Sequence, residues 1–126
     1  MQKVLVTGGA GFIGHHLIEH ILKNTGWFVV CLDRLDTSGN LNRISEFLDA
    51  NPSWKKRFKF LYHDLKAEIN SQLARQIGNV SIVFHLAASS HVDRSIEDPL
   101  SFVYDNVVGS CNLFNFARNC DTIDYI

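Results

Sequence analysis

Four glycines near the start of the chain have the spacing of a phosphate-binding turn. Gly8, Gly9, Gly11 and Gly14 directly follow a short apolar run, and Asp33 lies 19 positions after the last of them. Glycines at these positions allow a tight turn, a close approach of backbone to phosphate, and close packing of a helix on a strand. The helix then presents free N–H groups to phosphates, and an acidic residue about 20 positions later accepts hydrogen bonds from ribose hydroxyls. The pattern predicts a dinucleotide site; a glycine turn in some other βα unit is the alternative.

Two other groups of residues have spacings that occur in catalytic or metal sites. Tyr62 and Lys66 have Tyr-x-x-x-Lys spacing, but the end of a strand does not bring such side chains together as a helix turn does. His16, Glu19 and His20 match an inverted zinc-protease motif, yet no third ligand is evident, and a solvated helix face is the simpler interpretation. We therefore predict no metal site and no catalytic role for either group.

Composition narrows the class of protein. The chain has 126 residues, 46% of them hydrophobic, which predicts one domain with its own core. Its formal net charge of −1 gives no reason to expect nucleic acid or a membrane surface as a partner. There is no apolar run of about 18 residues and no signal peptide, and three unpatterned cysteines indicate reduced thiols, so we predict a cytoplasmic protein.

Strand and helix patterns alternate along the chain. Strands are predicted at 4–7, 28–32, 58–62 and 80–86, helices at 11–24, 41–48, 71–77 and 100–119, a polar loop at 87–99, and the start of a fifth strand at 123–126. This alternation predicts an α/β fold, a Rossmann-type doubly wound parallel sheet of order 3-2-1-4-5, truncated at strand five. Polar or glycine-rich segments at 8–14, 33–36, 64–65 and 87–94 follow the strands, so they should converge at the carboxyl edge where ligands bind.

Three polar residues of the fourth strand and its loop need separate interpretation. His85 lies in an apolar strand and is interpreted as a packed core histidine. His91 and Arg94 lie in the loop after it and are candidates for the substrate side of the cleft. A plain surface arginine is the alternative for Arg94.

The chain resembles the extended short-chain dehydrogenase/reductases, a family of NAD-dependent epimerases and dehydratases. The segments that carry the resemblance are 4–14, 32–41, 63–65, 85–96 and 106–109, so it covers the whole chain. The stretch 90–96 (SHVDRSI) and the loop 39–41 (GNL) favour the dTDP-hexose 4,6-dehydratase branch. Residues 1–126 would then be the N-terminal, NAD-binding part of such an enzyme. A 4-epimerase of the same family, or a nucleotide-binding module without chemistry, is the alternative.

The resemblance also implies contacts to NAD and to a nucleotide-sugar substrate. Gly8, Gly11 and Gly14 would form the phosphate turn, with backbone contacts from Phe12 and Ile13. The residues that would surround the adenosine are Asp33, Arg34, Leu35, Asp36, Asp64 and Leu65. The residues that would border the nicotinamide ribose are Leu86, Ala87, Ala88, Ser89 and Ser90, with Asp105 beside the cofactor. The residues that would face the substrate are Ser90, His91 and Arg94.

This chain differs from the family pattern at two of these positions. Ser89 stands where the family usually has glutamate, and Asp105 stands where it usually has threonine. The family's Tyr-x-x-x-Lys pair follows strand five, so no catalytic residue is assigned here and the 126-residue chain alone is expected to be inactive. An open parallel edge invites pairing with another chain, so we also expect a homo-oligomer, a dimer.

Overall fold

Four parallel strands form a sheet of order β3-β2-β1-β4 with helices on both faces. The computed structural model describes residues 1–36, 38–90 and 92–126. The strands are β1 (Lys3–Thr7), β2 (Phe28–Asp33), β3 (Phe58–Tyr62) and β4 (Ile82–His85). The helices are α1 (Phe12–Asn24), α2 (Asn42–Ala50), α3 (Ser71–Ile77), α4 (Val92–Glu97), α5 (Pro99–Val103) and α6 (Gly109–Arg118). A 3-10 helix spans Pro52–Arg57, and a π-helical turn spans Tyr104–Val108.

The two central strands are apolar on both sides because each side of the sheet has its own core. In β1, Val4 and Val6 pack into the core beneath α1 and α2, whereas Leu5 packs into the core on the opposite face. In β2, Val29 and Val30 divide between the two cores in the same way. Successive side chains of a strand point to opposite faces, so continuous apolar runs are what a sheet covered on both faces requires.

The predicted fold and strand order are confirmed for the four strands. Tyr125 occupies the position expected of a fifth strand, where it forms one parallel bridge with Ile82. The Val83 N–H donates to the Tyr125 carbonyl at 2.9 Å. The segment 123–126 therefore lies beside β4, but it forms an isolated bridge instead of the predicted start of a strand.

The polar loop predicted at 87–99 is wrong for its second half, which forms α4. Pro99 then separates α4 from α5, because proline suits the first turn of a helix and cannot continue one. The Asp98 side chain caps α5 by accepting a hydrogen bond from the Ser101 N–H at 3.3 Å. Asp98 and Pro99 therefore divide the helical segment into α4 and α5.

The single helix predicted at 100–119 is divided as well. The π turn inserts an extra residue, and the Gly109 N–H bonds the Tyr104 carbonyl five residues earlier. Leu113 is buried in the core, whereas Val107 and Phe114 are more than half exposed. One helical period therefore does not describe both sides of the π turn. Among the described residues, no helix has the length and apolar character needed to cross a membrane.

Candidate functional site

The turn after β1 brings three strand ends together. Gly8 has a φ of +69°, and a Cβ there would lie 2.8 Å from the backbone nitrogen of Ala87. Its own N–H donates to the Leu32 carbonyl at 2.8 Å, and the Gly11 N–H donates to the Gly8 carbonyl at 3.1 Å. The turn thus joins the ends of β1 and β2 and contacts the segment after β4, with no room for a side chain at Gly8.

The start of α1 packs against the same turn. A Cβ at Gly14 would lie 2.7 Å from the Cα of Gly9, so only glycine fits there. Gly11 is the N-cap and supplies no side-chain cap, and the first turn of α1 has no acidic residue. The first N–H groups of the helix and its partial positive charge are therefore available to an anion. Phe12 and Ile13, in this first turn, are both 69% exposed, so neither side chain packs into the core beneath α1.

Asp33, at the end of β2, is held in place by two backbone N–H groups. Its Oδ2 accepts from Ala10 at 2.9 Å, and its Oδ1 accepts from Leu35 at 2.7 Å. Gly39 lies so close that a Cβ there would be 3.0 Å from Oδ1. The carboxylate is thus fixed at the mouth of the glycine turn, and each oxygen retains a lone pair for a further donor.

Leu35 follows in a left-handed conformation, with a φ of 56°. Such a conformation is costly for a branched side chain and persists only where the surroundings fix it. The hydrogen bond to Asp33 fixes the backbone, and the Leu35 side chain packs against the core beneath α1 and α2. Leu35 therefore supports the cleft through its backbone N–H and not through its side chain.

Arg34 joins the two sides of the cleft. Its Nη1 and Nη2 atoms donate to both oxygens of Asp105, at 2.6 and 3.0 Å, and its Nε and Nη2 atoms donate to Asp36, at 3.2 and 2.9 Å. These bonds raise the pKa of the Arg34 guanidinium and, with Arg34 as the largest cause, lower the pKa of the Asp105 carboxyl. Asp64 lies 3.6 Å from Nη1. The Nζ atom of Lys66 lies 3.6 Å from Oδ2 of Asp64 and 3.7 Å from Oδ1 of Asp105.

The two positions that depart from the family pattern touch each other. The Ser89 hydroxyl donates to Asp105 Oδ2 at 2.6 Å. The Ser89 backbone also forms a pair of hydrogen bonds with the Asn106 side chain, at 2.7 and 2.9 Å. Both partners lie on the π turn, which therefore clamps the segment after β4 and directs Asp105 toward Arg34.

His85 connects β1 to α6 through both ring nitrogens. Its Nε2 lies 2.9 Å from the Ser110 hydroxyl, which donates its own proton to the Asn106 carbonyl. Its Nδ1 lies 2.7 Å from the Thr7 hydroxyl, which accepts from the backbone N–H groups of 86 and 87. The network is satisfied by a neutral ring that donates from Nε2 and accepts at Nδ1. His85 is a half-buried, hydrogen-bonded residue that fixes the carboxyl end of β4.

Protonation of His85 should destabilise the fold. Burial lowers its pKa below the ordinary 6.5, so the unfolded chain binds more protons than the folded chain as pH falls through that value. The stability that the neutral ring supplies is complete above pH 6.5 and is lost toward the lower folded pKa. His85→Gln should therefore show a shallower loss of unfolding free energy than the wild type between about pH 7 and about pH 5. Urea unfolding at several pH values measures it, and His20→Gln, on the exposed face of α1, is the control.

The cleft at this edge collects most of the residues proposed from the sequence. Those that line it are Gly8, Gly11, Asp33, Arg34, Asp36, Asp64, Leu65, Leu86, Ala87, Ala88 and Asp105. Residues that line it without having been proposed are Leu32, Ser38, Gly39 and His63. Gly39 and His63 belong to the segments that carried the resemblance, so their position in those motifs was the available signal.

Several proposed residues lie outside the cleft lining. Ser89 supports it from behind through Asp105, and Ser90 is exposed. Arg94 is on the exposed surface of α4, and His91 lies outside the described residues. The substrate-side residues therefore stay predictions.

The Tyr62 and Lys66 pair, to which no catalytic role was assigned, does not form a joint site. Tyr62 is 68% exposed, and Lys66 is occupied by ion pairs to two carboxylates. Within 1–36, 38–90 and 92–126, no group of three or more His, Cys, Asp or Glu side chains is arranged to hold a metal ion.

Comparison with known proteins identifies relatives along almost the whole chain. The family model for GDP-mannose 4,6 dehydratase matches residues 5–126. A dTDP-glucose 4,6-dehydratase of Neisseria meningitidis is 44% identical over 120 residues, which are 94% of this chain and 32% of that protein. This chain thus spans about a third of the length of the curated relatives it matches.

Solved structures share the fold. A dTDP-glucose 4,6-dehydratase of Streptomyces venezuelae, solved with NAD bound, superposes with a TM-score of 0.82 at 34% identity, covering 97% of this chain and 38% of that one. A UDP-Glc/GlcNAc 4-epimerase of Campylobacter jejuni gives a TM-score of 0.80 at 27% identity, covering 99% and 36%. On the evidence of the family match and of these relatives, the chain belongs to the GDP-mannose 4,6 dehydratase family of nucleotide-sugar epimerases and dehydratases.

Proposed function

We propose that this chain is the NAD-binding part of a nucleotide-sugar 4,6-dehydratase, with dTDP-glucose as its substrate. The observation that carries the proposal is the convergence of the glycine turn, Asp33 and the segment 86–88 on one cleft. The turn is a cradle that a Cβ at Gly8 or Gly14 would fill, and Asp33 is fixed where a ribose would meet it. The 44% identity to a dTDP-glucose 4,6-dehydratase supports this choice of substrate.

The residues of the cleft fit the successive parts of NAD. The first turn of α1 would hold the pyrophosphate, and Asp33 would accept the adenosine ribose hydroxyls. Asp64 and Leu65 would border the adenine, and the segment 86–88, with Ser89 and Ser90 next to it outside the lining, would border the nicotinamide ribose. Bound NAD supplies a hydride acceptor for oxidation of the sugar 4-hydroxyl, and the protein residues position it.

Cofactor binding tests the first half of the proposal. Calorimetric titration of the 126-residue chain should give a lower Kd for NAD than for NADP, because a carboxylate at Asp33 accepts free hydroxyls and repels a 2′-phosphate. Tighter binding of NADP would contradict it. A chain that binds neither cofactor would remove the proposed function itself.

Catalysis by the 126-residue chain is not part of the proposal. No residue of this chain is assigned to proton transfer, a step commonly worth about 10²–10⁴ in rate. With dTDP-glucose, the chain alone should form no 4-keto-6-deoxy product above background. Sequencing the native gene product tests for a downstream Tyr-x-x-x-Lys pair, which the dehydratase needs and a binding module without chemistry does not.

A nucleotide-sugar 4-epimerase is the second candidate. The Campylobacter jejuni epimerase covers 99% of this chain at a TM-score of 0.80, so the fold fits both reactions. A native product that interconverts 4-epimers without loss of water would favour it. We also propose that the protein forms a homo-oligomer, for which the exposed apolar side chains of 103–107 on the α5 side of the cleft offer a surface.

A further inference from the structure

The adenosine end of the cleft contains two neighbouring residues with opposite cofactor preferences. Asp33 suits the free ribose hydroxyls of NAD, whereas an arginine in the position of Arg34 can accept the 2′-phosphate of NADP. Nothing in the residue types alone decides between them. The contacts that hold Arg34 decide between them, if the chain binds a dinucleotide as proposed above.

The guanidinium of Arg34 has almost no donor left for a phosphate. Of its five N–H groups, one from Nε, one from Nη1 and two from Nη2 bind carboxylate oxygens of Asp36 and Asp105. The remaining Nη1 hydrogen is near Asp64, whose Oδ2 is 3.6 Å from Nη1. A 2′-phosphate would therefore have to displace a carboxylate to gain a bidentate contact with Arg34.

The two carboxylates that hold Arg34 are not equivalent. Asp36 is two residues away on the same exposed loop, and its side chain is 40% exposed. Asp105 comes from the π turn on the other side of the cleft and is only 7% exposed. The hydroxyl of Ser89 also holds Asp105 in place, at 2.6 Å. Asp36 holds Arg34 from the same loop, where its Oδ1 also accepts from the Ser38 N–H at 2.9 Å, whereas Asp105 holds the guanidinium from the opposite side of the cleft.

The local charge also opposes a phosphate. Four carboxylates, Asp33, Asp36, Asp64 and Asp105, line this end of the cleft. Among the described residues, two cations, Arg34 and Lys66, form ion pairs with three of them, Asp36, Asp64 and Asp105. The carboxylates thus exceed these cations by two formal charges, in a partly buried setting where charge interactions are stronger than in water.

We propose that Asp105 is a specificity-determining residue, which excludes dinucleotides that carry a 2′-phosphate by holding Arg34 across the cleft. Asp105 need not touch the phosphate to do so. Replacing Asp105 with asparagine leaves one acceptor oxygen for the two N–H groups that it now binds, so at least one N–H group of Arg34 is freed and the negative charge of the site is lowered. NADP then gains a partner, while the hydrogen bonds from NAD to Asp33 are unaffected.

The test compares Kd values for NAD and NADP in a double-mutant cycle. Asp105→Asn should shift the ratio of the two Kd values toward NADP by about tenfold, which corresponds to about 1.4 kcal/mol. In an Arg34→Ala background, the same substitution should shift the ratio by less than about threefold, because the residue through which Asp105 acts is absent. A purely structural effect of Asp105 would weaken both cofactors and leave the ratio unchanged.

Ser89→Ala provides a second variant that keeps every charge. It removes the hydroxyl that anchors Asp105, and it should shift the ratio in the same direction by about threefold, in line with one lost hydrogen bond. Asp49→Asn is the matched control, because Asp49 is a 72% exposed carboxylate that pairs with Lys55 outside the cleft. It should leave the ratio unchanged.

The outcomes separate the two proposals. A wild-type chain that binds neither cofactor contradicts the proposed function. A wild-type chain that prefers NAD, with an unchanged ratio in Asp105→Asn, overturns only the role of Asp105. An equal shift with and without Arg34 overturns the route through the guanidinium. If Asp105→Asn fails to fold by circular dichroism, the ratio in Ser89→Ala decides, and an unchanged ratio there overturns the inference.

Discussion

Gly14→Ala should lower the free energy of unfolding by about 3 kcal/mol, at the upper end of what overpacking costs. The added methyl group would meet backbone on two sides, the Gly8 carbonyl and the Gly9 Cα, and neither can move without opening the turn. The same displacement would disturb the first turn of α1, so NAD affinity should fall as well. Urea unfolding followed by the fluorescence of Trp27 and Trp54 measures the change.

Gly26→Ala is the matched control for this prediction. Apart from its chain neighbours, no heavy atom of the described residues lies within 4 Å of a Cβ at Gly26, and its φ is not in the left-handed region. Its unfolding free energy should stay within about 0.5 kcal/mol of the wild type, as for most surface substitutions. Equal stability of the two variants would show that α1 does not pack against the turn as described.

Asp33→Ala should weaken NAD binding by about 1.5–3 kcal/mol, the range for lost hydrogen bonds to a charged group, which is roughly 10- to 150-fold in Kd. The carboxylate also holds the N–H groups of Ala10 and Leu35, and Ala10 is fully buried. The variant should therefore also unfold at lower urea concentration. Calorimetry with NAD, under conditions where the variant remains folded, separates affinity from stability.

Two further variants identify which interactions of Asp33 account for the loss of NAD affinity. Asp33→Asn keeps an acceptor for one backbone N–H but removes the charge, so it should recover part of the stability and less of the affinity. Ser89→Ala should reduce NAD affinity less than Asp33→Ala does, since the Ser89 hydroxyl points to Asp105. A larger loss in Ser89→Ala than in Asp33→Ala would refute the assignment of the ribose pocket.

The parts of the fold that the sequence predicts well are those set by local periodicity. The two central strands, β1 and β2, are continuous apolar runs in the sequence. Helix α3 begins and ends at the residues that its pattern predicts, Ser71 and Ile77. Asn70 caps that helix through its side chain, and Gly78 follows it with a positive φ of 78°. Both are residue types that mark helix ends in sequence.

The cleft was foreseeable for a related reason. In a doubly wound sheet, the carboxyl ends of the strands meet at one edge, so the strand pattern alone groups segments that are distant in sequence. Gly8, Asp33 and Asp64 do line one cleft. What topology could not give is orientation within those segments: Leu35 contributes its backbone to the cleft but packs its side chain into a core.

The connection between Arg34 and Asp105 lay beyond sequence reasoning. The two residues are 71 positions apart, and Asp105 reaches the cleft only because it lies on the π turn. No residue type marks such a turn in sequence, and the pattern of 100–119 predicts an uninterrupted helix.

Because of the π turn, the shape of this cleft depends on the number of residues in the segment 104–108 as well as on their identity. One residue of an α-helix corresponds to a rotation of about 100°, so the extra residue between Tyr104 and Gly109 offsets α6 from α5 by that amount. A deletion of one residue within 104–108 would restore a regular helix and rotate Asp105 and Asn106 away from Ser89, even if every remaining side chain were kept. Substitutions in this segment change a contact, whereas insertions and deletions move the whole wall of the cleft. Among functional variants of this protein, the length of this segment should therefore be kept, and only residues other than Asp105 and Asn106 should be free to vary.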